Sequence, residues 1–154
     1  MTPNTETRRV AVLVERRKGV TPWQEWVWQA VEVLEAVPDL PPWSVMRTEG
    51  STTLWFAGAA EVALHPTDTD NYRHNLGSGQ PRLWVILRQI ETEPGLALHV
   101  ATADAGEAHN YADSGTDLME ALPLPTGLTA WVEDFCERHH QVREFRKRKR
   151  DAKA

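Results

Sequence analysis

The chain has one cysteine, Cys136, and only three Phe and two Tyr in 154 residues. A single thiol excludes an intramolecular disulfide and any multi-cysteine zinc or iron–sulfur site. No apolar run approaches the eighteen or so residues that a membrane helix needs. Residues 1–9 are polar and lack the apolar stretch of a signal peptide, so a cytoplasmic protein is expected, with no membrane partner. Phosphate-binding and nucleophile-elbow motifs are also missing. Gly77-Ser-Gly79 follows an expected helix and precedes an expected strand, the reverse of the order that sets phosphates on a helix N-terminus.

Seven Trp, at positions 23, 26, 28, 43, 55, 84 and 131, stand out against so few other aromatics. An indole is large and carries an N–H that needs a partner, so some of these rings belong at the edge of the core or in an interface. Apolar residues make up 41 %, enough for one domain at this length. Charge is divided unevenly. Gln141–Ala154 carry seven Lys/Arg against Glu144 and Asp151, a net +5, whereas the other 140 residues hold ten bases and twenty acids, a net −10. A basic tail on an acidic body is solvated alone and suited to docking on an acidic surface.

Hydrophobic patterning gives an α+β protein. Val10–Val14 reads as a first strand. Residues 21–37 fit either a helix with a capping box at Thr21-Pro22-Trp23-Gln24 or a strand. The β-branched and aromatic content favours one helical turn at Pro22–Glu25, then a strand with Val27, Val31 and Val33 on one face. Trp43–Arg47 and Thr52–Phe56 flank the turn Thr48–Ser51 as a hairpin. Gly58 breaks the pattern before a short strand at Glu61–His65. Pro66–Leu76 is a short helix stopped by Gly77. Leu83–Leu87 and Leu96–Ala101 form a second hairpin, and Asp104–Ala112 is a helix stopped near Ser114-Gly115. Leu128, Trp131, Val132 and Phe135 mark a clean amphipathic helix ending near His140. The expected architecture is a mostly antiparallel sheet or partly open barrel of six or seven short strands, with three helices in the second half. Residues 1–8 form a flexible N-terminus, 9–140 one domain and 141–154 the basic tail.

Few residues suggest chemistry. Cys136, His139 and His140 fall within one helical turn, but no CxxC or HExxH accompanies them, so a helix end whose imidazoles favour the negative dipole is the plainer account. A thiol beside an apolar stripe is expected to be buried and inert. Asp68, Asp70, Glu107, Asp113 and Asp117 show no spacing specific to acid–base work, so no catalytic residue, metal or cofactor is expected. The tail could neutralise phosphates, but the acidic body opposes nucleic acid. Phe145 among Arg146, Lys147, Arg148, Lys149 and Arg150 instead offers an aromatic anchor between cations, which suits a protein partner.

Read in order, Val12–Arg17, Trp23, Trp28, Leu64-His65, Asp70-Asn-Tyr72, Asn75-Leu76, Val85–Arg88, Thr102-Ala103, Glu107-Ala108, Tyr111, Asp113–Gly115, Pro123–Pro125, Trp131-Val132, Phe135, His140 and Phe145–Lys149 form a recognisable series. From about Arg9 to Arg150 the chain resembles an uncharacterised bacterial domain-of-unknown-function family. Its members typically lie beside genes for molybdenum-dependent formate dehydrogenases and their cofactor-maturation proteins, and some carry a molybdopterin-guanine dinucleotide biosynthesis label. A nucleotidyltransferase of that pathway would need a Gly-rich loop on a Rossmann-like fold, and this chain has neither. The resemblance implies a non-catalytic accessory protein that binds formate dehydrogenase or one of its maturation proteins. The alternative is a small-molecule site for a molybdopterin nucleotide or a related anion, lined by His65, Tyr72, Arg73 and Arg88. The sequence leaves the oligomeric state open.

Overall fold

A computed structural model of the chain describes residues 4–23, 25–112 and 117–153, with side chains up to His139. Seven strands form two antiparallel sheets. The first has the order β2-β1-β4-β3, from β1 (Glu6–Lys18), β2 (Trp26–Leu34), β3 (Ser44–Glu49) and β4 (Thr52–Leu64). The second has the order β6-β5-β7, from β5 (Arg82–Gln89), β6 (Leu96–Thr102) and β7 (Asp117–Pro123). A 3-10 turn (Pro66–Asp68), α1 (Thr69–Leu76), α2 (Ala105–Ala112) and α3 (Thr126–Lys153) complete the described chain. The sheets do not close into a barrel, and no helix among the described residues is long and apolar enough to cross a membrane.

β1 is the spine because it is apolar on both faces. Val12 and Val14 point between the sheets, where they meet Ala57, Val85, Leu87, Leu96 and Leu122. Val10 joins Val62, Leu64 and Leu83 under α3, whose Leu128, Trp131, Val132 and Phe135 supply the expected stripe. Ala11 and Leu13 face the other way, onto Phe56 and the partly buried Val31, Leu34, Val37 and Leu54.

Residues 26–34 are strand, paired with β1 as expected, but not with the expected faces. A bulge opposite Leu13/Val14 slips the register at Val31. Ala30 and Val33 therefore pack in the inter-sheet core while Val31 packs on the opposite side. Pro22 and Trp23 form a turn, and Gln24 lies outside the described residues. The expected strands at 52–56 and 61–65 are one strand. Gly58, at φ 131°, accommodates a bulge opposite Val12/Leu13 and lets β4 continue. β7 was not expected. Its Met, Glu and Ala are weak strand formers, and pairing with β5 from Arg82↔Pro123 to Arg88↔Asp117 makes it a strand. α3 does not end near His140. It continues through a segment rich in Arg and Lys, both good helix formers, to Lys153, so His139 and His140 are not at a helix terminus.

Three polar clamps hold the helices. The buried Asn75 side chain donates from Nδ2 to the carbonyls of Arg82 (2.8 Å) and Ala103 (3.1 Å), and its Oδ1 accepts from the Arg82 N–H (2.9 Å). Asp104 Oδ1 caps α2 by accepting from the Gly106 N–H at 2.8 Å and from Asn71 Nδ2 at 3.1 Å. Glu6 accepts from Trp131 Nε1 (3.0 Å) and Arg138 Nη2 (2.7 Å), fastening the start of β1 to α3.

Candidate functional site

Two features could serve a function, and the first is the end of the four-stranded sheet at the β1–β2 turn. In the antiparallel register, Arg16 lies opposite Trp28 on one side and Thr53 on the other. Lys18 lies opposite Trp26, and Val14 opposite Trp55. Directly paired residues share a face, so Trp26, Trp28 and Trp55 surround Arg16 on the face that continues from the inter-sheet core. The guanidinium carbon is 4.2 Å from the Trp26 ring centroid, 5.2 Å from Trp55 and 5.5 Å from Trp28. Trp43 closes the cluster, edge-on to Trp28 at 5.7 Å and to Trp55 at 6.3 Å. Such cation–ring contacts are worth about 0.5–2 kcal/mol each, more as they lose water. Arg16 Nε and Trp55 Nε1 are buried without a hydrogen-bond partner among the described residues.

This cluster opens to solvent through apolar side chains. Trp26 is 38 % exposed, and Val45, paired with Trp55 across β3–β4, is 53 % exposed. In the turn, Trp23 is 84 % and Val20 98 % exposed. Sequence reasoning noticed the Trp but missed Arg16 as their centre. The available signal was the hairpin register, because a turn over residues 19–25 sets Arg16 opposite Trp28.

The second feature is a cleft of about 350 Å³ between β4 and β6. Ala59, Ala60 and Ala63 leave room on the β4 side, and Glu61, His65, His99 and Glu107 supply polar groups. Burial, and after it the Asp104 carboxylate, pushes the Glu107 carboxyl above its ordinary range, while His65 and a hydrogen bond with Thr102 pull it back. No group of three or more His, Cys, Asp or Glu among the described residues is arranged to hold a metal ion.

The expected ligand residues do not form one group. His65 lines the cleft. Tyr72 is buried behind it, with its hydroxyl accepting from the His65 N–H (2.9 Å), its ring edge-on to Phe135, and its phenol pushed up mainly by burial. Arg73 is exposed on α1 and acts electrostatically on the Cys136 thiol. Arg88 belongs to the β5–β7 pair, where Nε and Nη2 each donate to Asp117 at 3.2 Å. Cys136 is buried and its thiol is pushed up to about 11 by that burial. The backbone of 145–150 lies within α3, and the side chains of Phe145, Arg146, Lys147, Arg148, Lys149 and Arg150 lie outside the described residues, as does that of His140.

Comparison with known proteins identifies a family and nothing further. Residues 9–149 match the family described as protein of unknown function (DUF3305), and the chain belongs to it. No curated protein and no solved structure matches.

Proposed function

We propose that this member of the family is a non-catalytic accessory protein that works by docking onto a protein partner in the cytoplasm. The context is maturation or assembly of a molybdenum-dependent formate dehydrogenase, as the family resemblance implies, with the basic segment Phe145–Arg150 steering toward an acidic surface. The observation that carries this reading is the apolar end of the first sheet, where Trp26 and Val45 on the cluster's face and Trp23 and Val20 in the adjoining turn are exposed. Burying one indole removes about 150–250 Å² from water, worth about 4–6 kcal/mol at 25 cal/mol/Å² before the costs of association, which is the scale of an interface anchor. A basic segment adds mainly to the association rate and makes that rate fall with salt.

The test is affinity capture of the tagged chain from a host making the dehydrogenase. Formate dehydrogenase subunits or their maturation proteins should be recovered with the wild type and lost with Trp23→Asp. Truncation after His140 should reduce recovery at low salt more than at high salt. Recovery of none of these proteins by the wild type overturns the reading. The cleft beside His65 favours a second reading, a small-molecule site. A thermal-shift screen addresses it, because a ligand at 100 times its Kd adds about 2.7 kcal/mol of stability.

A further inference from the structure

The cation in the Trp cluster lacks the carboxylate partner that Arg17, Arg47, Arg88 and Arg138 have, and unlike the other unpaired cations among the described residues it sits among three indoles. Arg17 is 3.6 Å from Glu15, Arg47 3.5 Å from Glu49, and Arg88 and Arg138 each contact a carboxylate within 3.2 Å. Arg16 makes no ion pair among the described residues, and its Nε is buried with nothing to donate to. A guanidinium stripped of water on its faces by indoles keeps its strong donors in the ring-flanked plane, and a desolvated donor left unmet is costly. Its fork matches a carboxylate in two parallel hydrogen bonds.

We infer that the Arg16 guanidinium, presented between Trp26, Trp28 and Trp55, receives one carboxylate of the docking partner, an Asp or Glu side chain flanked by apolar residues. This deepens the docking reading and rests on it. The flanking apolar residues are required by the surroundings, since the exposed parts of Trp26 and Val45 on the same face would otherwise stay in water beside a filled charge site. A nucleic acid fits the same place poorly. On this face a chain of phosphates would meet only two cations, Arg16 and Lys18, set in a body whose first 140 residues carry a net charge of −10. A lone carboxylate needs only the one fork.

The test uses the full-length protein and a displayed library of random twelve-residue peptides, selected on wild type and counter-selected on Arg16→Gln. Circular dichroism and thermal melting first confirm that the variant is folded. Arg16→Lys is carried in parallel, because it keeps the charge but loses the fork. Selected peptides should share an Asp or Glu with an apolar residue on either side. A synthetic representative should bind wild type at least about tenfold more tightly than Arg16→Gln, the loss expected for a charge-assisted hydrogen bond. Its Asp→Asn version should lose the same factor on wild type and nothing on the variant, with Arg16→Lys between the two.

Selected peptides without an acid, or equal binding to wild type and Arg16→Gln, overturn the inference. So does tight binding of a twenty-residue oligo-dT that displaces the peptides, which would make the cluster a base-stacking surface. Docking itself is judged separately by capture of the dehydrogenase proteins. If that capture persists and depends on Trp23 while no acidic peptide is selected, the carboxylate assignment fails and docking stands. If acidic peptides bind through Arg16 and no dehydrogenase protein is captured, the carboxylate assignment stands and the dehydrogenase context fails.

Discussion

Replacing Asn75 with Ala removes a clamp that ties the end of α1 to the start of β5 and the end of β6. Asn75 is 4 % exposed and its amide makes three hydrogen bonds, to Arg82 N–H, Arg82 C=O and Ala103 C=O. Alanine leaves all three backbone groups without that partner, at about 1–1.5 kcal/mol each. Its better helix propensity returns about 0.5 kcal/mol, for a net loss of about 3 kcal/mol. At this chain length that corresponds to a fall of about 10 °C in Tm. Equilibrium urea unfolding at pH 7 measures it, with an unchanged m-value and a lowered midpoint expected. Asn75→Asp keeps the shape but aims a carboxylate at two carbonyls, which raises its pKa in the folded state. Its deficit is therefore full at neutral pH and shrinks as pH falls through that raised value, where the protonated acid can donate again. A loss below about 1 kcal/mol for Asn75→Ala, or an Asn75→Asp deficit that does not shrink in acid, refutes the clamp.

Three further outcomes are expected. Gly58→Ala should destabilise by about 1–3 kcal/mol through backbone strain, since its φ of 131° disfavours any Cβ while the nearest side-chain atom, Pro42 Cβ, would sit at an easy 3.6 Å; calorimetry reads it. Glu107 has a raised folded-state pKa, so its contribution is present below the ordinary carboxylate value and lost as pH rises through the folded one. Glu107→Gln should accordingly raise Tm at pH 7 and flatten the Tm profile just above pH 4.5. Cys136, buried and pushed up to about 11, should ignore a thiol reagent such as DTNB at pH 8 until the protein is unfolded in guanidinium.

Local patterns were readable where one residue class dominated. Val10–Val14 and the β5–β6 hairpin carry β-branched apolar runs, α1 is bounded by Pro66 and Gly77, and the Leu128–Phe135 stripe has a helical period. What stayed hidden depends on a second strand. β7 has no strong strand formers and exists through its pairing with β5, while Gly58 resembles a terminator until β1 is seen to bulge against it. The candidate sites follow the same rule. His65 was visible as a residue, but its companions Glu61 and His99 reach the cleft only because β4 and β6 come together. The Trp were visible as a count, and it is the β1 register that gathers three of them around Arg16.

The layering of the two sheets also bears on which strand edges the protein leaves open to another chain. The sheet orders make β2, β3, β6 and β7 edge strands among the described residues; β6 packs near β4 and β2 near β7, whereas β3 packs mainly on its own partner β4. Such an edge invites a second copy to add a strand, and Val45 and Met46 make this one stickier than most. Three properties blunt it: a length of six residues, a register slip at Met46 that twists the edge, and the charged Arg47 and Glu49 on either side of Thr48. Changes that lengthen, flatten or neutralise β3 would thus act on aggregation before they act on folding stability.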